Sequence, residues 1–346
     1  MPRQFVNWLA MTEKSAEIEN KEGWEMKRLI HYIIVFALAF CLVVTANAAQ
    51  MLIPVGQVVG LELSDNTVTV SSFDETLGDN AQKAGLKVGD RIIAVNGQPV
   101  KNAEDVRHAL DRADGVVEMT VQRSKKTEKV RIEPTVTPEG PKLGVYLKEG
   151  VTGVGTVTWY DPETKKFGTL GHGVNNARGE LLNMVSGNAY KASVASVRKG
   201  ECGTPGQLMG ALKDAKPVGV LYINCPQGVF GKTERGWSGE MLPVGAAKTV
   251  KTGNAVIRST IEGDAPREYS VEILKVYPNT ATSGRNLLLR VTDERLLNTT
   301  GGIVQGMSGS PIIQDGKLVG AVTHVLVNDP TRGYGIFIEN MLDAAN

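Results

Sequence analysis

Between residues 153 and 291 the chain is written almost entirely in short alternating apolar segments separated by turn residues: 153–160, 167–170, 192–198, 218–223, 255–261, 269–276 and 287–291. Period-two alternation gives a strand one buried face and one wet face. Many such strands at close spacing, with no long helical stretch between them, close up as a barrel or a sandwich. Glycine is abundant, 39 of 346 residues, and aromatics make up only 5%, which suits a fold with many turns. Hydrophobic residues reach 42%, enough for the cores of two domains in a chain of this length. The formal charge of +1 implies no field for nucleic acid.

A different pattern precedes these strands. Residues 81–97 read A-Q-K-A-G-L-K-V-G-D-R-I-I-A-V-N-G, after a short strand near 68–73. A helix with Ala103, Val106 and Leu110 at helical spacing follows, then a strand over 116–123. Asn96-Gly97 is a tight-turn signal. The pattern resembles PDZ domains, which hold an extended peptide as an added strand beside a loop whose amides face the peptide's carboxylate. That resemblance implies a module over 51–134 with a peptide ligand and a binding loop at Gly60, Leu61, Glu62 and Leu63, where Glu62 replaces the usual second glycine. His108, inside the helix, reads as a surface or packing residue. The module serves either to present substrate or as a brace. Pro138, Gly140 and Pro141 mark residues 135–141 as a linker, leaving 142–346 as a second domain.

Near the C-terminus, Gly306-Met307-Ser308-Gly309-Ser310-Pro311 leads into an apolar strand, a turn at Asp315-Gly316-Lys317 and a second apolar strand. Glycines beside a nucleophile let the backbone turn sharply and aim successive amides at a carbonyl oxygen, and Gly306 and Ser308 are the natural pair. Glycine and serine also dominate ordinary turns. A serine hydroxyl needs a base, and the second domain offers only His172, between Gly171 and Gly173, and His324, on an apolar strand where a packed histidine is the default. Asp293 ends an apolar strand, but local sequence gives it little advantage over Asp161, Asp264 or Glu294.

The serine hairpin is similar to that of chymotrypsin-like serine peptidases, and together with Gly171-His172-Gly173 and the upstream module it resembles the SpoIVB peptidase family. The resemblance implies a mainly β protein, a PDZ domain followed by a chymotrypsin-like double β-barrel. It further implies a triad of Ser308, His172 and Asp293, an oxyanion hole at Gly306 and Ser308, and a substrate channel along Thr323, His324 and Val325, without a metal or other cofactor. The function it implies is a sporulation endopeptidase that cleaves itself in trans and cuts a membrane-bound regulator of pro-sigma-K processing. The other readings are an HtrA-like envelope quality-control protease, whose peptidase precedes its PDZ domain, and a catalytically inactive PDZ binding module.

Residues 29–48, an apolar run after Lys27-Arg28 that ends in small residues, read as a signal peptide cleaved after Ala48 or as a membrane anchor, behind a polar leader over 1–28. Met26 would make a more ordinary start. Export across a membrane is expected, into the space between the forespore membranes by the resemblance. Of three cysteines, Cys41 lies in the apolar run. Cys202 and Cys225 lack close spacing or histidine partners for a metal, and a disulfide between them stays open but unsupported by the sequence.

Overall fold

The computed structural model describes residues 50–346 apart from 125, 177–178 and 279–283, together with Trp24 and residues 31–33. The leader and the apolar run at 29–48 fall, but for those few positions, outside the described residues. Among the described residues no helix is long and apolar enough to cross a membrane.

Two long strands organise the first half of the molecule. Strand β1 (Met51–Pro54) leads into β2 (Val58–Phe73). Then come helix α1 (Asp79–Lys83), β3 (Arg91–Val95), β4 (Gln98–Pro99), helix α2 (Ala103–Asp111), β5 (Val117–Arg123), β6 (Lys126–Ile132) and the small hairpin β7 (Thr135–Thr137) with β8 (Gly140–Lys142). Strand β9 (Val145–Tyr160) returns antiparallel to the whole length of β2. The far ends of β2 and β9 belong to the PDZ-like module, whose core gathers Val68, Val70, Ile92, Val106, Leu110 and Met119. Their near ends belong to a barrel. With β10 (Lys166–Thr169), β11 (Ser186–Arg198), β12 (Gln207–Cys225) and β13 (Gly228–Lys232), the pairings run β2–β9–β10–β13–β12–β11 and back to β2.

The module is therefore inserted between two strands of the first barrel instead of standing before it. This moves the expected boundaries: residues 51–63 belong to the barrel, and the stretch read as a linker holds β7, β8 and the approach to β9. The join is sharp. Leu63 pairs with Val151 on the barrel side and Val68 with Glu149 on the module side, with a register shift between them. Gly150 sits in the break at φ +58°, and a Cβ there would come within 1.8 Å of the Leu63 carbonyl oxygen. Only glycine fits both the angle and the space.

After β14 (Leu242–Pro243), the second barrel comprises β15 (Gly253–Ser259), β16 (Arg267–Val276), β17 (Leu287–Val291), β18 (Pro311–Gln314), β19 (Lys317–Leu326) and β20 (Asp329–Phe337), closed in the order β15–β16–β17–β20–β19–β18. Helix α3 (Glu294–Thr300) sits between β17 and β18, and α4 (Ile338–Ala344) ends the chain. The barrels join through an apolar layer in which Leu52, Trp159 and Phe230 of the first meet Leu318, Ala321, Ile336 and Met341. Fully burying each of the leucine, isoleucine, phenylalanine and methionine side chains among them contributes about 1.5–3 kcal/mol. The fold is the expected one: mainly β, a PDZ module and a double barrel.

Candidate active site

The serine loop runs from α3 to β18 and is fastened to the first barrel at two places: Gln305 bonds Gly206 and Leu208 at the start of β12, and Thr156 bonds the residues around the nucleophile. Thr156 of β9, fully buried, donates its backbone amide to the Ser308 carbonyl at 2.9 Å and its hydroxyl to the Gly306 carbonyl at 2.8 Å. Its own carbonyl accepts from the Thr169 hydroxyl at 2.7 Å and the Leu170 amide at 3.3 Å, on the strand that delivers His172. Thr156 thus ties the serine loop to the histidine strand. Gly309 makes the approach possible: at φ +96°, a Cβ would lie 2.0 Å from the Thr156 carbonyl oxygen.

This anchoring also orients the loop's amides. The Gln305 carbonyl accepts from the Leu208 amide, and the Met307 carbonyl accepts from the Ser310 amide and hydroxyl. All described peptides are trans, so the Gly306 and Ser308 N–H groups point opposite to those carbonyls. Among the described residues neither amide donates to another backbone group, and both residues line one cleft. The cleft encloses about 620 Å³ and brings Ser308, His172 and His324 together.

His172 follows β10 in a tight turn, with Leu170 and Gly171 both at positive φ. Its Nδ1 lies 2.9 Å from the Gly173 carbonyl. A carbonyl only accepts, so Nδ1 carries the proton and Nε2 keeps the lone pair a general base needs. Burial lowers the pKa of His172 below the ordinary histidine value, with the Gly173 bond opposing it. The His324 ring stands 5.1 Å away, centroid to centroid, tilted by 38°. Burial first, then the charges of His172 and Arg285, hold His324 down to about 4, and among the described residues its buried Nδ1 has no hydrogen-bond partner.

The Ser308 hydroxyl donates to the Thr323 carbonyl at 2.8 Å. Thr323 falls in the register shift between Val322 and His324, where β19 leaves its regular pairing with β20, and its hydroxyl donates to the Gly284 carbonyl at 2.7 Å. Of the expected channel residues, His324 faces the cleft. Thr323 contributes its carbonyl, and Val325 packs on the second barrel's core.

The structure does not bring Asp293 to His172. Asp293 is the N-cap of α3: Oδ1 accepts from the Arg295 and Leu296 amides at 3.0 and 3.2 Å, and Oδ2 meets the Arg295 guanidinium at 3.3 Å and the Ser270 amide at 3.4 Å. Burial works to raise its pKa, but Arg295 and the amides outweigh burial, and the carboxyl sits below the usual value. The sequence signal was there to find, because an aspartate directly before Glu294-Arg295-Leu296-Leu297 is a helix start. In the place expected of the acid, the Gly173 carbonyl holds the imidazole.

The PDZ loop expectation also needs correction. Gly60, Leu61, Glu62 and Leu63 lie within β2, paired to β9 on one side and β11 on the other, so their backbone groups are already used. The Glu62 carboxylate accepts from the Tyr190 hydroxyl at 2.7 Å. A groove of about 390 Å³ lies instead between α2 and the start of β9, lined by Ala103, Val106 and Leu110 opposite Leu143, Gly144 and Val145. The missed signal was Leu143-Gly144-Val145-Tyr146-Leu147, a glycine ahead of alternating apolar residues, hidden behind a proline-rich stretch.

Cys202 and Cys225 are free thiols, and among the described residues no three His, Cys, Asp or Glu gather to hold a metal ion.

Comparison with known proteins places the chain in a family. The family model of the SpoIVB peptidase S55 matches residues 139–342, more than half of the chain. The chain belongs to the SpoIVB peptidase S55 family. A PDZ domain model matches residues 78–123, within the inserted module. Among curated relatives, a protein of Rhizobium meliloti described as a probable DegP-like periplasmic serine endoprotease is 40% identical over 67 residues, covering 19% of this chain and 13% of its own. A protein of Pseudomonas fluorescens with the same description is 32% identical over 100 residues, 26% of this chain and 21% of its own. The chain thus spans less than half the length of the curated relatives it matches. The solved inactive form of the Rv3671c protease is similar over 56% of this chain and 82% of its own, at 15% identity and a TM-score of 0.32.

Proposed function

We propose that this SpoIVB-family chain is a serine endopeptidase in which Ser308 attacks the scissile carbonyl, His172 serves as general base and then general acid, and the Gly306 and Ser308 amides receive the oxyanion. One observation carries this reading. Ser308, a histidine in the Nδ1-protonated tautomer and two amides that, among the described residues, donate to no other backbone group share one cleft between two barrels. In the resting arrangement the Ser308 hydroxyl donates its hydrogen bond to the Thr323 carbonyl. The serine loop extends this edge of β19 through Val322, whose amide and carbonyl bond Ser310 and Gly309, and the next carbonyl along, that of Thr323, meets the Ser308 hydroxyl. A substrate amide laid there would take the Thr323 carbonyl and release the Ser308 hydroxyl toward His172.

Family membership supports a finer reading. The enzyme is exported, tethered or released at the forespore membranes, cleaves itself in trans, and cuts a membrane-bound sporulation regulator to trigger pro-sigma-K processing. The groove beside α2 would take the peptide ligand of the PDZ module. Full-length wild type mixed with a Ser308→Ala chain tests this: trimming of the Ser308→Ala chain by wild type, absent when both chains carry Ser308→Ala, is expected. Persistence of the intact Ser308→Ala chain beside a wild type that labels with a serine-directed probe would rule out trans cleavage.

A further inference from the structure

The cleft has two unlike halves. The second barrel contributes polar groups, Ser308, His324, Gln305 and the Gly306 backbone, whereas the barrel that carries His172 contributes aliphatic side chains, among them Leu61 and Leu63 of β2, Val151 and Val154 of β9, and Leu181. Among the described residues, none that lines the cleft is an aspartate, glutamate, lysine or arginine. The chemistry fixes which end of a substrate meets which half. The base that takes the serine proton must hand it to the departing amine, so the leaving half of the peptide lies on the side of His172.

From this we infer that the enzyme selects substrates by an uncharged aliphatic side chain immediately C-terminal to the scissile bond. The inference rests on the peptidase reading above and names the selectivity of the same site. The wall is a built feature. The Asn224 side chain accepts from the Val174 amide at 2.8 Å and donates to the Val174 and Leu182 carbonyls at 2.9 and 2.8 Å. These bonds and a bridge between Asn175 and Leu181 hold Leu181 against Gly173, beside the base. A lysine or glutamate side chain entering there would lose its water against aliphatic neighbours.

Leu181 is 44% exposed at the rim, so a charge placed there leaves the core intact. The test uses full-length chain and internally quenched peptides that differ only in the residue after the scissile bond: Leu, Lys or Glu. Wild type is expected to cleave the Leu peptide at least about tenfold faster in kcat/KM than either charged one. Leu181→Glu should raise the Lys-to-Leu ratio by about tenfold, and Leu181→Lys should do the same for Glu to Leu. Equal cleavage of the three peptides by wild type, or ratios that do not follow the sign of the new charge, would overturn the inference while leaving a peptidase. Wild type that neither cleaves any peptide nor labels with a serine-directed probe would overturn the peptidase reading, and the selectivity with it.

Discussion

At residue 156 a hydroxyl group holds the serine loop in register. Thr156→Val keeps the shape but strands the buried Gly306 carbonyl, a cost of about 1–3 kcal/mol. Because that carbonyl orients the oxyanion segment, kcat should fall by about tenfold or more with KM little changed. Steady-state kinetics on a cleaved peptide checks this, and an unchanged kcat would contradict it. The histidines make a second prediction. His172 acts as a base only when neutral, and burial lowers its pKa, so kcat/KM should hold below pH 6.5 before it falls. For His324 the unfolded chain takes up a proton near pH 6.5 and the folded chain only near 4, so stability is lost as pH falls through that window. Thermal melts should show His324→Gln losing less Tm than wild type between pH 7 and pH 4.5. That Ser308 and His172 meet in one cleft was legible in the sequence because their flanking glycines are needed for close approach, which is a local property. Asp293 was misread because position before a serine loop does not reveal which way a carboxylate turns.

For an element, helix α3 makes the difference measurable. Asp293→Ala removes the cap and should cost about 1 kcal/mol, while Asp293→Asn keeps a capping oxygen and should be nearly neutral. With the Gly173 carbonyl holding His172, the Asn variant should also keep most of its activity. A folded Asp293→Asn chain with kcat lowered by orders of magnitude would show that the carboxylate reaches His172 during turnover. The long strands are the other instructive case. The alternation of β2 was visible, but Gly60 inside it imitated a loop, since sequence cannot tell a glycine that turns a chain from one that lies in a paired strand. The Leu212 side chain fills the space over Gly60: a Cβ there would meet it at 2.5 Å.

Over the whole molecule, the insertion of the PDZ module makes peptidase and module one body. Two strands cross the boundary without a break in chain, meeting at Gly150, and β2 supplies both cleft residues and module core. A fragment beginning at Lys142, the boundary that the proline-rich stretch suggested, lacks β1 and β2, leaves the first barrel open between β9 and β11, and should not fold. Circular dichroism and limited proteolysis of that fragment check this, and a cooperative melt would contradict the insertion. The fold class was readable from strand spacing, but the nesting of one domain within another was not, because pairing partners distant in sequence leave no periodic trace. The central claim, that Ser308 and His172 work together in this cleft, is tested most directly by labelling full-length chain with a fluorophosphonate serine probe. The account predicts label on Ser308 in wild type, none in Ser308→Ala, and a rate lowered by orders of magnitude in His172→Ala. Equal labelling rates in wild type and His172→Ala, both shown to be folded, would contradict it.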